Sequence, residues 1–142
     1  MSQSAMVAVP VNTLCRITQS LAFFSDWTVP ELKSVASCCQ TLKCTSPTRI
    51  IKLNGLEPYA YFLVKGSVTL ETARGDVRTI HANDADAGYP IAHIRPSPYE
   101  VIAAQGSELL RIEGSKLRSH QAQHKPARLF AEEEVIGLLP SF

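Results

Sequence analysis

The chain has 142 residues, 45% of them hydrophobic and 19% charged, with a formal net charge of +1. This length and composition predict one globular domain and exclude a chain that is disordered throughout. With Lys+Arg 14 against Asp+Glu 13, the chain lacks the surplus of positive charge that is typical of proteins binding DNA or RNA directly.

The sequence also predicts where the protein resides. No apolar run approaches the roughly 20 residues that a membrane-spanning helix needs. Residues 1–14 do not have the pattern of a signal peptide, so we expect a cytoplasmic protein that does not enter a membrane. No Cys-x-x-Cys pair is present, and we predict reduced structural thiols rather than a zinc site. The cysteines are Cys15, Cys38, Cys39 and Cys44.

The first helix is predicted over residues 12–24, after a flexible N-terminus (1–12). Its apolar residues recur at steps of three and four: Leu14, Ile17, Leu21 and Phe24. This spacing places them on one helical face, which we expect to pack on the core. A break in the helix near Ser20 is left open.

A second helix is predicted from Val29 to about Cys39. Thr28 and Glu31 have the spacing of a capping box, and Pro30 is tolerated in the first turn of a helix. An amphipathic stripe follows, formed by Leu32, Val35, Ala36 and Cys39. Together the two helices account for the predicted helical region, residues 13–45.

Beyond Pro47 the pattern changes to short runs rich in β-branched and aromatic residues, separated by glycine, proline, Asn or Asp. Six strands are predicted, over residues 49–53, 59–64, 67–72, 77–82, 99–104 and 108–112. Because no helix separates them, they predict an antiparallel β-roll, a double-stranded jelly-roll barrel, over residues 46–113. The predicted fold class is mainly β with N-terminal and C-terminal α-helices.

The C-terminal part, residues 115–142, returns to a helical pattern. Ser115 is predicted to cap a helix over residues 116–123, and Pro126 starts a second stretch. The apolar residues of that stretch are Leu129, Phe130, Val135, Ile136, Leu138 and Leu139. Such a surface folds back on the roll or packs against another chain. We expect a homodimer, or a partner domain bound through these helices, and a single domain over residues 1–142.

This order of elements resembles the cyclic nucleotide-binding domain of the catabolite activator protein type. Residues 61–68, Tyr-Phe-Leu-Val-Lys-Gly-Ser-Val, reproduce a strand-pair pattern of that family, and residues 107–112 resemble the last strand of its roll. Phe24-Ser25 and Glu31-Leu32 match its helix before the roll. The resemblance covers roughly residues 14–120 and implies a regulatory domain of signal transduction that holds a cyclic nucleotide in a cassette within the roll.

The resemblance indicates where the cassette lies, but the residues there do not match an intact cyclic nucleotide site. In the family, a glycine-opened helical turn and an arginine hold the phosphate, while a glutamate accepts the ribose hydroxyl. Here Gly88 matches the glycine, Tyr89 or Pro90 replaces the glutamate, and Ser97 replaces the arginine. Glu100 falls on a hydroxyl position, where its negative charge would repel a phosphate. A lost charge-assisted bond costs roughly 1.5–3 kcal/mol. We therefore predict that ordinary cAMP or cGMP binding is lost and that no cofactor is bound.

An alternative is that the altered cassette still senses a cyclic nucleotide or another small anion. Arg95 would supply the charge, His93 would assist when protonated, and backbone N–H groups would come from Gly88, Ile91 and Ala92. The candidate ligand-binding residues are Gly88, Tyr89, Ile91, Ala92, His93, Arg95, Ser97 and Tyr99. Otherwise we expect a cavity filled by side chains, those of Tyr89, Ile91, Ile94 and Tyr99, and Pro90 at the start of a helical turn.

A minor alternative is a cupin-type metalloenzyme, since cupins share the roll. Gly75 and His81 have suitable spacing, but Asn83 replaces the second histidine and no Glu follows at the required distance. A Gly-x-Ser-x-Gly elbow and a Walker loop are absent from the sequence, and the residues after His120 are too few for a DNA-binding module. We predict a non-catalytic regulatory or interaction module with no catalytic or metal-binding residues.

Overall fold

A computed structural model of the chain describes residues 5–115. Within them the strands are β1 (Ala5–Ala8), β2 (Cys39–Lys43), β3 (Thr48–Ile51), β4 (Tyr59–Lys65), β5 (Ser67–Thr72), β6 (Val77–His81), β7 (Tyr99–Ala103) and β8 (Glu108–Glu113). The helices are α1 (Val11–Thr18) and α2 (Val29–Ala36). Sheet A has the strand order β1-β2-β8-β4 and sheet B the order β3-β7-β5-β6, and every pairing between neighbouring strands is antiparallel.

The predicted β-roll with flanking helices is confirmed for this part of the chain. The six predicted strands correspond to β3–β8, and no strand end differs from the prediction by more than two residues. Two assignments were wrong. Residues 5–8, placed in a flexible N-terminus, form β1, and residues 39–43, placed in the helical region 13–45, form β2. The predicted helices of residues 116–142 lie outside the described residues.

The first predicted helix is divided in two. α1 ends at Thr18, whose hydroxyl donates to the Leu14 carbonyl at 2.9 Å. After an extended Leu21, a 3₁₀ turn runs over Ala22–Phe24. Leu14, Leu21 and Phe24 are nonetheless all buried, so the apolar spacing correctly identified the packed residues and the break near Ser20 is real.

The second helix begins as predicted and ends earlier. The Thr28 N–H donates to Glu31 Oε1 at 2.7 Å, and the Glu31 N–H donates to Thr28 Oγ1 at 3.3 Å, which completes the capping box. The helix ends at Ala36, and Cys39 opens β2 opposite Ile112. Cys39 is 1% exposed in that strand. The helix end was predicted too late because a buried apolar residue fits a helical pattern as well as a strand pattern.

Sheet A is covered on both faces. One core lies between the two sheets and includes Leu42, Leu63, Val68, Leu70, Val101 and Leu109. A second core lies between sheet A and the helices and includes Leu14, Phe24, Leu32, Phe62, Leu110 and Ile112. None of the helices described is long and apolar enough to cross a membrane.

The segment 84–98, called the cassette below, joins β6 to β7 and lies against the edge strands of both sheets. β4 is the outer strand of sheet A, and its Tyr61 carbonyl accepts the Ile91 N–H at 2.8 Å. β6 is the outer strand of sheet B, and its Arg78 forms an ion pair with Asp86. The cassette therefore closes the roll on this side and satisfies backbone groups that an open sheet edge would leave to water.

Candidate ligand site

The cassette begins with a 3₁₀ turn over Ala85–Gly88 that packs on the helical layer. A Cβ atom on Gly88 would lie 3.0 Å from both the backbone nitrogen and the Cβ of Ala22. Only glycine allows this close approach without a shift of the neighbouring backbone. The turn ends before Pro90, so the prediction that Pro90 begins a helical turn was wrong.

Ile91 and Ala92, which follow Pro90, both form hydrogen bonds through their backbone. Ile91 is 2% exposed, and its N–H, predicted as a phosphate donor, already donates to the Tyr61 carbonyl at 2.8 Å. Ala92 has a φ of 44°, in the left-handed region that non-glycine residues rarely adopt. Its carbonyl accepts a hydrogen bond from Arg95 Nη1 at 2.5 Å.

Arg95 acts as a clamp on main-chain carbonyls. Its Nε donates to the Glu57 carbonyl at 2.9 Å and its Nη2 to the Tyr59 carbonyl at 2.9 Å. Its Nη1 donates to the carbonyls of Ala92 and Ile94. Burial lowers the pKa of the Arg95 guanidinium, an effect that Tyr61 and Glu57 oppose. The residue predicted as a phosphate partner thus binds four carbonyls across the cassette and the 57–59 segment.

Ser97 occupies the position that the resemblance gives to the phosphate arginine, and it is 0% exposed. Its hydroxyl donates to the Tyr99 carbonyl at 2.8 Å and accepts the Tyr99 N–H at 3.1 Å. Its backbone N–H donates to the Gly55 carbonyl at 3.0 Å, and its carbonyl accepts the Asn54 N–H at 2.7 Å. Ser97 therefore fastens the cassette to the turn before β4, and both its side chain and its backbone are in use.

The predicted filling of the cavity by side chains is half correct. Ile91 and Tyr99 are buried in the core between the sheets, 2% and 4% exposed, whereas Tyr89 and Ile94 are 37% and 38% exposed. Burial raises the pKa of the Tyr99 hydroxyl. His93, the candidate histidine, is half-buried.

Glu100 does not point into the roll, which corrects the prediction that it would repel a phosphate. It alternates with the buried Tyr99 and Val101 on β7 and so lies on the outer face of sheet B. Its carboxylate accepts the Leu53 N–H at 2.9 Å and pairs with Arg49 at 3.1 Å. The Leu53 N–H and then Arg49 lower the pKa of this carboxyl group.

One cation on the inward face of β6, Arg78, was not among the predicted site residues. Arg78 alternates with exposed residues on β6 and shares the inward face with the buried Ile80. It lies directly opposite Leu70 of β5. Burial raises the pKa of the Tyr99 hydroxyl, and the charge of Arg78 opposes this shift. Its guanidinium pairs with Asp86 of the cassette. The period-2 pattern of β6 places Arg78 on the same face as Ile80, and this would have identified it.

His81, on which the cupin alternative depended, does not point into the roll. His81 is exposed on the outer face of β6, opposite Ser67, and its N–H donates to Asp84 Oδ2 at 2.8 Å. Residues 5–115 contain no group of three or more His, Cys, Asp or Glu side chains that could hold a metal ion. All four cysteines are free thiols.

Comparisons with known proteins agree with this architecture at the level of the fold. No protein-family model matches the chain, and no curated protein matches it by sequence. Among solved structures it is similar to a cyclic nucleotide-binding domain from Methylobacillus flagellatus, with 13% identity over 97% of this chain and 82% of that chain and a TM-score of 0.64.

Two kinase regulatory proteins are also similar. The regulatory domain of Toxoplasma gondii PKA, crystallised with cAMP, shares 15% identity over 88% of this chain and 49% of that chain, with a TM-score of 0.69. The regulatory subunit of a cAMP-independent protein kinase A from Trypanosoma brucei shares 11% identity over 87% and 47%, with a TM-score of 0.66. The chain spans about half the length of these two proteins. The two sheets, the cassette across their edges and these similarities show that the chain has the fold of cyclic nucleotide-binding domains.

Proposed function

We propose that this chain is a non-catalytic regulatory or interaction module that uses the cyclic nucleotide-binding fold without binding cAMP or cGMP in the ordinary way. One observation carries the proposal: three of the polar groups expected to meet a phosphate in the cassette already bind the protein itself. Ile91 donates to Tyr61, Arg95 donates to four carbonyls, and Ser97 bonds Tyr99 in both directions.

The energetics support the same conclusion. A phosphate that binds Arg95 in the cassette has to detach it from carbonyls that lose this donor in a half-buried place. An unsatisfied buried carbonyl costs about 1–3 kcal/mol, comparable to the gain from one hydrogen bond to a charged group. Replacing these carbonyls by a phosphate therefore offers little net binding energy. A site whose arginine has no partner before the anion binds does not have this cost.

The second candidate function is a ligand sensor for a small anion. The observation that favours it is Arg78, a partly exposed cation on the same face of β6 as the buried Ile80. Asp86 neutralises this guanidinium now, and an anion would have to displace that carboxylate. Arg78 is the better-placed cation for this role, because Arg95 holds the cassette together.

Titration calorimetry of the full chain with cAMP, cGMP and cyclic dinucleotides separates the two functions. The proposed function predicts no binding tighter than about 10 μM. Binding tighter than that would contradict the proposed function, and its loss in Arg78→Gln would assign the bound anion to Arg78. Arg74→Gln is the control, because the Arg74 side chain is 89% exposed and pairs only with Asp76 in the described structure.

The proposal includes the partner and the compartment expected from the sequence. We infer a homodimer or a bound partner domain formed through the C-terminal residues after Ser115, and a cytoplasmic location, which is supported by the free thiols. Sedimentation of the full chain and of a chain ending at Lys125 tests the first part. The same monomeric mass for both would exclude self-association through that segment.

A further inference from the structure

β1 forms the outer edge of sheet A. Among the described residues its one partner strand is β2, which it pairs from Ala5 opposite Lys43 to Ala8 opposite Gln40. Backbone groups of a strand point alternately to its two sides, so half of the N–H and C=O groups of β1 point away from β2. This edge therefore presents the hydrogen-bonding pattern that another extended strand would complete.

Both faces of β1 are exposed as well. Met6 is 40% exposed and Val7 54% exposed, although successive side chains in a strand point to opposite faces. The strand carries no charged side chain, which is the usual protection of a sheet edge. Val9, 6% exposed, anchors the end of the strand in the helical core. β1 is thus held in place, apolar on both faces and unprotected along its outer side in the described structure.

The other three sheet edges are different. The edge of β4 is covered by the cassette, through the hydrogen bond from Ile91 to Tyr61. The edge strand β6 carries Arg78, which is paired to the cassette, and the edge strand β3 carries the exposed Arg49. Within residues 5–115, β1 is therefore the edge that has neither a charge nor a cover.

We propose that β1 pairs antiparallel with β1 of a second copy of this chain, which joins two four-stranded sheets into one continuous sheet. A twofold axis perpendicular to the sheet places one residue opposite its own copy. With Val7 on that axis, Met6 faces Ala8 of the second copy, and each opposed pair is uncharged. The net charge of +1 adds little repulsion between the copies.

The size of the contact sets its strength. Four paired residues bury much less than the about 800 Å² per partner of a standard interface, so we expect a weak and reversible dimer. This contact is separate from the C-terminal association proposed above and does not depend on the ligand. Substitutions on β1 therefore distinguish it from an interface elsewhere.

Sedimentation velocity of the full chain between about 5 and 500 μM tests the proposal. A lysine at an edge repels its own copy, so Val7→Lys should raise the dissociation constant at least about ten-fold. Val77→Lys is the matched control, because Val77 is 60% exposed on the edge strand β6. The proposal is overturned if the native chain stays monomeric, if Val7→Lys dimerises like the native chain, or if both variants weaken the dimer equally.

Disulfide capture provides a second measurement that does not depend on introducing a charge. Opposed residues of paired strands have Cα atoms close enough for a disulfide. Under mild oxidation, Val7→Cys should give a covalent dimer faster than either Val77→Cys or the native chain with its own four thiols. Equal rates for the three proteins would overturn the proposed register.

Discussion

Ser97 and Tyr99 close a small ring at the start of β7. The Ser97 hydroxyl accepts the Tyr99 N–H at 3.1 Å and donates to the Tyr99 carbonyl at 2.8 Å. We expect Ser97→Ala to lower the free energy of unfolding by about 1–3 kcal/mol, because it removes two hydrogen bonds to backbone groups in a buried place. Urea denaturation measures this loss. Ser34→Ala, at an exposed helical position, should change stability by less than about 0.5 kcal/mol.

Ser97→Arg tests whether the family's phosphate arginine can be restored by one substitution. Ser97 is 0% exposed, so a guanidinium has no room at this position. We expect a loss of more than about 4 kcal/mol and no gain of cAMP binding. A stable Ser97→Arg protein that binds cAMP would show that the cassette remains a nucleotide site.

Arg95→Lys should weaken the attachment of the cassette. An ammonium group cannot reach four carbonyls that the planar guanidinium binds together. We expect a loss of about 2–4 kcal/mol in the free energy of unfolding. Hydrogen exchange should be faster at the Ile91 amide, which lies in the same segment. Arg74→Lys, at a side chain that is 89% exposed, should leave both measurements unchanged.

Local sequence patterns identified the helix cap and six strands because those features depend on neighbouring residues. The capping box needs only Thr28 and Glu31, and the strands need only alternation and glycine-containing turns. The strands β1 and β2 were not predicted, because Ala5–Ala8 shows no alternation and Cys39 also completes a helical stripe. Their strand conformation comes from pairing with β8 and with each other.

The predicted cassette segment does join β6 to β7, but the hydrogen-bond partners of its residues were not predictable from the sequence. Arg95 binds the carbonyls of Glu57 and Tyr59, which are 38 and 36 positions away in sequence. Glu100 takes its partners Arg49 and Leu53 across the sheet from a similar distance. Such contacts depend on how the chain is brought together over long separations, and no local pattern of residue types specifies them.

Glu100 should make stability depend on pH. Its pKa lies below the ordinary 4.5 because the Leu53 N–H and Arg49 favour the carboxylate. A carboxyl group with a lowered folded-state pKa contributes stability above its unfolded pKa, and this contribution is lost as the pH falls through the folded value. Urea denaturation between about pH 2 and 6 should show this loss. Glu100→Gln should flatten the slope, whereas Glu108→Gln should retain the contribution from Glu100.

The thiols should differ sharply in reactivity. Burial raises the pKa of the Cys39 thiol to about 12, and its Sγ donates to the Val35 carbonyl at 3.2 Å. At about pH 8 only about one part in ten thousand is thiolate, the reactive form. We expect iodoacetamide to label the half-buried Cys38 and to spare Cys39, as measured by peptide mass spectrometry. Equal labelling in urea is the control, and rapid labelling of native Cys39 would contradict the buried position.

Alanine substitutions at Gly66 and Gly75 separate the cost of backbone strain from the cost of steric contact. Both have a positive φ, 90° and 93°, so alanine at either position should cost about 1 kcal/mol for the left-handed conformation alone. A Cβ on Gly75 meets nothing within 4 Å, whereas a Cβ on Gly66 would lie 2.4 Å from Ser107 Oγ and 2.8 Å from its Cα.

Because Ser107 Oγ also accepts the Ser67 N–H and donates to the Ser67 carbonyl, it cannot move without breaking the junction of β5 and β8. We expect Gly66→Ala to cost about 2–4 kcal/mol in urea denaturation, clearly more than Gly75→Ala. Equal losses for the two variants would mean that Ser107 yields freely. The close packing at the β4–β5 turn would then contribute little to the stability of the roll.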